Sequence, residues 1–162
     1  MEHALTTGSW LQATALLNNT FFEGTIIYLY EVNEDGAVGF IVNRQFPRHL
    51  NELAEFSHSK PWPLYEGGPV DTEHLFILHS RAELVPGSRR ILDGVFFGGD
   101  FHTAVQLLNS GILSPDDIRI FIGYCGWDAG ELEEEIREGS WQVVQENPVY
   151  SPSLLLRKPT PS

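Results

Sequence analysis

Two apolar runs joined by a turn constrain the fold more than any other part of the sequence. Residues 25–30 and 37–43 are rich in β-branched and aromatic side chains, and each run is short for a helix. Between them lies Asn33-Glu34-Asp35-Gly36, in which Asp-Gly tolerates positive φ. The sequence therefore predicts a β-hairpin over 25–43. Because both runs are apolar nearly throughout, we expect a sheet that is covered on both faces.

The remaining segments predict further strands with helices between the later ones. Asp100 is placed to cap a helix, and Asp128 and Glu131 have the spacing of a capping box. The expected strands cover 9–13, 74–79, 91–97, 118–122, 141–145 and 154–156, and the expected helices 50–56, 101–109 and 131–138. Adjacent groups of strands favour an α+β fold with a largely antiparallel sheet.

Composition indicates one globular domain over residues 1–162. The chain is 42% hydrophobic and 12% aromatic, which is typical of a folded protein. Its single cysteine, Cys125, excludes an intramolecular disulfide and fits a reducing compartment. The chain has no apolar run long enough to cross a bilayer, and its start lacks the pattern of a secretory signal. We therefore expect a cytoplasmic protein without membrane association.

The charge of the chain disfavours polyanionic partners. Twenty-two acidic residues against ten Lys and Arg give a formal charge of −12. Nucleic-acid affinity depends largely on cationic side chains that neutralise phosphates, so direct binding to nucleic acid is disfavoured. Anionic membranes are disfavoured for the same reason. A protein or small-molecule partner is the expectation, and the sequence does not indicate the oligomeric state.

Two glycine-rich segments are the candidates for a functional surface. Gly67-Gly68-Pro69-Val70 lacks the lysine and spacing of a phosphate-binding loop, which favours a tight turn. The segment from Gly123 to Gly130 combines a strand end, an aromatic-glycine turn and a helix start. Tyr124 and Trp127 could form a ligand platform, or Trp127 could fill the core beside the turn.

The candidates for metal binding and catalysis are weaker. Glu131, Glu134 and neighbouring acids share helix faces, but a solvated acidic face explains them better than a cation site that lacks ligands from a second segment. His74 and His79 face opposite sides of a strand, so no metal site is expected. Cys125 lacks a recognisable base. No cofactor fingerprint is present.

Several motifs in order resemble the YqgE/AlgH family of bacterial proteins over roughly residues 8–145. They include 36–43, Gly67-Gly68-Pro69-Val70, Gly123-Tyr124-Cys125-Gly126-Trp127 and Trp141, and their spacing looks most like the Bacteroidetes branch. The resemblance implies a compact α+β fold whose antiparallel sheet curls into a pseudo-barrel with flanking helices. It implies little about activity, since the family is largely uncharacterised and its transcriptional-regulator label comes from one member's genetic context.

The leading hypothesis is a non-enzymatic binding or regulatory module. Its candidate surface comprises Gly67, Gly68, Pro69, Tyr124, Trp127, Glu131 and Glu134. A second hypothesis is an enzyme of unrecognised type that uses Glu131, His79 or Cys125 in acid–base roles, and it requires two of these in one pocket. A third is a DNA-binding regulator, which steep salt dependence of duplex binding would reveal.

Overall fold

The fold is known from a computed structural model, which describes residues 5–92 and 94–144. The strands in these residues are β1 Trp10–Ala13, β2 Ile26–Asn33, β3 Gly36–Ile41, β4 Gln45–His49, β5 Pro63–Glu66, β6 Val70–His79, β7 Arg89–Leu92, β8 Val95–Phe97, β9 Ile118–Asp128 and β10 Trp141–Val144. The α-helices are α1 Phe101–Asn109 and α2 Glu131–Arg137. Short 3₁₀ helices lie at Ala15–Leu17, Leu50–Glu52 and Ala54–Phe56. None of the helices in the described ranges is long and apolar enough to cross a membrane.

The strands form one largely antiparallel sheet with β9 near its centre. The order is β10-β1-β2-β3-β9-β6-β8-β7. The first half of β9 pairs with β6 and its second half with β3. Beside β3, β5 joins β9 in parallel, with Tyr65 opposite Phe121, and β4 pairs with β5. The predicted α+β fold with a largely antiparallel sheet is confirmed.

The sheet curls so that β7, at one edge of the sheet, approaches β1 and β2 near the opposite edge. Arg89 of β7 forms an ion pair with Glu31 of β2 at 2.9 Å. Leu92 lies against Gly8, just before β1, so closely that a Cβ on Gly8 would be 2.4 Å from the Leu92 side chain. The described residues thus form a curled half-barrel flanked by α1 and α2, as the family resemblance implies.

Three buried clusters fill the fold, and β9 contributes to each of them. Ile118, Ile120 and Ile122 lie in an aliphatic cluster beneath α1. Phe121 faces the other way, into an aromatic cluster inside the curl, where its ring stacks on Phe40 at 4.3 Å. Further along, β9 enters a third cluster beneath α2 through Cys125 and Trp127. One strand therefore connects all parts of the core.

Several sequence predictions hold in detail. The hairpin forms with β2 ending at Asn33 and β3 starting at Gly36. Asp100 caps α1 by accepting a hydrogen bond from the Thr103 N–H at 3.2 Å. Of the capping box predicted at α2, one bond forms, because the Asp128 N–H donates to the Glu131 carboxylate. The residue at the cap position is Gly130 at φ 80°, and not Asp128.

Other boundaries were predicted wrongly. The expected helix at 50–56 is two 3₁₀ turns, and the expected turn after Gly123 is a continuous strand that runs to Asp128. Two strands, β4 and β5, were not predicted, because each contains a proline and β5 pairs with β9, which lies far along the chain. The expected strand at 154–156 lies outside the described residues.

Candidate functional site

The two glycine-rich segments lie side by side, because their backbones cross in close contact. The Gly67 N–H donates to the Ile122 carbonyl at 2.8 Å. A Cβ on Gly68 would be 2.2 Å from the carbonyl carbon of Tyr124, and one on Gly123 would be 2.4 Å from the carbonyl oxygen of Gly68. Glycine is needed at these positions because backbone atoms occupy the space of a side chain. The crossing of the two backbones is therefore a rigid support for the neighbouring side chains.

Only part of the candidate surface reaches one cavity. Next to the crossing lies a groove of about 680 Å³, and Gly68 and Pro69 form part of its wall. The Tyr124 side chain lies in the aromatic cluster instead, with its ring edge-on to Phe76 at 5.6 Å. Trp127, Glu131 and Glu134 do not line the groove. The structure thus brings the two segments together but directs their side chains to different places.

The described walls of the groove come from seven separate stretches of the chain. Most of its surface is apolar, and its volume falls in the range of ligand pockets. The apolar and small lining residues are Phe21, Phe46, Leu53, Ala54, Phe56, Gly68, Pro69, Leu75, Phe101 and Ile122, and the polar ones are Glu55, Glu66, Thr72, Glu73, His74 and His102. Sequence reasoning found only Gly68 and Pro69, since the aromatic residues converge through tertiary packing.

Ion pairs surround the mouth of the groove. Arg44 lies 3.2 Å from Glu66, and its guanidinium lies over the Phe21 ring at 5.0 Å from the centroid. His102 lies 3.3 Å from Glu55.

His74 is the other imidazole at the mouth, and it is hydrogen-bonded to Asp71. This bond and the carboxylate charge raise the pKa of His74 above its ordinary value. The mouth therefore combines imidazoles with carboxylates on an exposed surface.

Trp127 fills the third core cluster and is anchored by a carboxylate that the sequence analysis treated as surface. Its side chain is 9% exposed and its indole N–H donates to Glu135 at 3.1 Å. The Trp141 indole, 3% exposed, donates to the same carboxylate oxygen at 2.9 Å. The core-filling alternative for Trp127 is the one that the structure shows. Glu135 lies on the face of α2 that turns toward the sheet. A carboxylate on that buried face is the sequence pattern that could have identified it as a structural residue.

The two acids of the candidate surface, Glu131 and Glu134, lie exposed on α2. Glu131 accepts the Asp128 N–H at 3.1 Å, which ties the helix start to the end of β9. Glu134 forms an ion pair with Arg137 on the next turn of the helix. Within the described ranges, no group of three or more His, Cys, Asp or Glu residues is arranged to hold a metal ion.

The residues of the enzyme hypothesis lie apart. His79 is opposite Ile118 in the sheet, and Cys125 follows about 20 Å further along β9. Burial raises the pKa of the Cys125 thiol to about 12, and the thiol donates to the Gly67 carbonyl at 3.4 Å. Glu131 lies on α2, beyond the end of the strand. The required shared pocket is not formed by these residues.

His79 is a buried structural histidine. Its Nε2 lies 3.0 Å from the Gly98 carbonyl, and its Nδ1 accepts the Arg81 N–H at 3.2 Å. Burial lowers the pKa of the imidazole below its ordinary value, and the bond to Gly98 opposes this in part. This arrangement suits the neutral tautomer that carries its proton on Nε2.

Comparison with known proteins agrees with this fold. The model of the AlgH-like family matches residues 10–160. The chain belongs to the AlgH-like family. A UPF0301 protein from Chlorobium luteolum is 40% identical over 144 residues, which cover 89% of this chain and 76% of the relative. A UPF0301 protein from Bacteroides thetaiotaomicron is 34% identical over 144 residues, with 88% and 73% covered.

Two solved structures match the fold of this AlgH-like chain. The solution structure of AlgH from Pseudomonas aeruginosa matches with a TM-score of 0.70 and 28% identity, covering 94% of this chain and 85% of that one. The crystal structure of DIP2367 from Corynebacterium diphtheriae matches with a TM-score of 0.72 at 21% identity, covering 92% and 81%. The predicted family is confirmed, and the names of these relatives assign no activity.

Proposed function

We propose that this AlgH-like chain is a non-enzymatic binding module that accepts apolar side chains of a partner protein in the groove beside Gly68 and Pro69. The observation that carries the proposal is the groove itself, about 680 Å³ in volume and walled largely by Phe and Leu side chains. Concave apolar surfaces of this size are the usual sites for ligand anchors. The proposed binding surface is therefore smaller than the one expected from the sequence, because only Gly68 and Pro69 of the candidate residues line the groove.

The position of the groove supports recognition by a preformed site. Its wall at Gly68 belongs to the backbone crossing with β9, where the close contacts leave no room for adjustment. Two other lining residues, Phe56 and Phe101, pack their rings edge-to-face at 5.2 Å. Rigid walls lower the ordering cost of binding, so more of the contact energy appears as affinity.

The titratable groups at the groove favour binding over catalysis. His74 and His102 are exposed, and each is paired with a carboxylate at the mouth. General acid–base chemistry needs a group placed against a reacting atom with a pKa suited to the reaction. The net charge of −12 further supports a protein or small-molecule partner over nucleic acid.

A neutral, environment-sensitive dye tests the groove directly. Titration of the protein with Nile red should give a saturable rise in fluorescence. Ala54→Trp should strongly reduce it, because Ala54 is exposed and lines the groove, so the indole occupies part of the cavity without disturbing the core. Ala129→Trp is the matched control, since Ala129 is exposed in the loop before α2 and lies outside the groove. Equal dye binding by both variants, or no saturable binding at all, would refute the proposal.

A further inference from the structure

The groove is apolar inside and acidic at its mouth. Among the lining residues that the structure describes, three are glutamates, namely Glu55, Glu66 and Glu73, and none is Lys or Arg. The glutamates come from three different segments of the chain, so no single element supplies the negative charge. Charge complementarity at an interface selects partners and accelerates encounter, and the overall charge of −12 acts in the same direction.

The protein already holds one cation in this setting. The Arg44 guanidinium lies over the Phe21 ring and within 3.2 Å of the Glu66 carboxylate. An aromatic face and a carboxylate together form a favourable site for a cationic group. Because Glu66 is already paired with Arg44, a cationic group of a ligand would pair with Glu55 or Glu73.

Glu73 and Glu55 are the carboxylates that remain for a ligand. Glu73 is exposed on β6 and forms no ion pair with any residue in the described ranges. Glu55 faces His102, whose imidazole carries charge only when protonated and lies 5.5 Å from the Phe56 ring. A lysine or arginine beside either glutamate would gain an ion pair next to an aromatic wall.

We infer that the occupant of the groove is a basic, apolar segment of a partner protein, an inference that rests on the proposed function. Its Phe-like or Leu-like side chains fill the groove, and its flanking Lys or Arg side chains lie beside Glu55 and Glu73. An acidic or phosphorylated segment would place like charges at the mouth and would be rejected.

Three matched peptides test this inference. They share the same phenylalanines and leucines and carry lysine, glutamine or glutamate at all other positions, with both ends blocked. We expect the lysine peptide to bind at least about tenfold more tightly than the glutamate peptide at low salt, and the difference to shrink as NaCl is added. Glu73→Gln should weaken the lysine peptide about two- to fivefold, the range for an exposed ion pair.

A charge-matched variant separates a local effect from a global one. Glu133→Gln removes the same charge from an exposed position on α2, away from the groove, and should leave peptide affinity unchanged. Equal binding of all three peptides, with Ala54→Trp blocking each, would refute the charge inference and leave the groove function standing. Binding of Nile red without any peptide would also refute the inference. Failure of both dye and peptides would refute the proposed function as well.

Discussion

The bridge from Glu135 to Trp127 and Trp141 gives a sharp test of how the third core cluster is held together. Glu135→Ala removes the acceptor of two indole N–H groups whose side chains are 9% and 3% exposed. An orphaned buried donor costs about 1–3 kcal/mol. Because Glu135 is half-buried, water can replace part of the interaction, so we expect a loss of about 2–4 kcal/mol in the free energy of unfolding. That is a large part of the roughly 5–15 kcal/mol typical of a domain.

Urea denaturation, followed in parallel by tryptophan fluorescence and far-UV circular dichroism, measures this loss. Glu135→Gln keeps an oxygen acceptor and should lose about half as much as Glu135→Ala. Glu133→Ala is the control on the same helix, with an exposed side chain, and should change stability by no more than about 0.5 kcal/mol. A Glu135→Ala variant within that margin of the control would show that the two hydrogen bonds contribute nothing to stability.

Two other substitutions test the backbone crossing and the buried histidine. Gly68→Ala should lower the free energy of unfolding by at least about 2 kcal/mol in urea titrations, because the new methyl meets the Tyr124 backbone at 2.2 Å, whereas Gly126→Ala, whose nearest neighbour is a side chain at 3.3 Å, should be nearly neutral. Similar effects of the two would contradict the packing argument. The pKa of His79 is lower in the folded protein than in the unfolded chain, so on acidification the unfolded chain takes up this proton at a higher pH than the folded protein does. The free energy of unfolding should therefore fall as the pH drops below about 6.5. The test compares unfolding free energies at pH 8 and pH 5 for the parent and for His79→Gln, whose amide can still donate and accept hydrogen bonds but does not titrate. The fall should be steeper in the parent, and parallel profiles would refute the argument.

Local patterns predicted the elements whose partners are close in sequence. The β2–β3 hairpin followed from apolar runs around Asp35-Gly36, and α1 followed from a capping aspartate with an apolar face. Predictions failed for elements whose structure depends on contacts with residues far along the chain. Pro63 argues against a strand in the sequence, yet β5 pairs with β9 in parallel more than fifty residues away.

The candidate site was predictable only in part for the same reason. The glycines at 67–68 and 123 were recognisable as unusual, but their role is to let two backbones cross, which no local pattern encodes. The groove depends on Phe56 and Phe101, which come together only through tertiary packing. Glu135 was grouped with the solvated acids of its helix because its two indole partners lie on different strands.

The central place of β9 also has a consequence for synthesis of the protein. The ribosome makes β1 to β8 and α1 before β9, yet each of the three buried clusters needs a side chain from that strand. Nascent chains that end before Ile118 therefore expose three incomplete clusters and an open sheet edge, the features that favour aggregation. We therefore expect the domain to complete its folding late in translation, once β9, which pairs with β3, β5 and β6, has emerged.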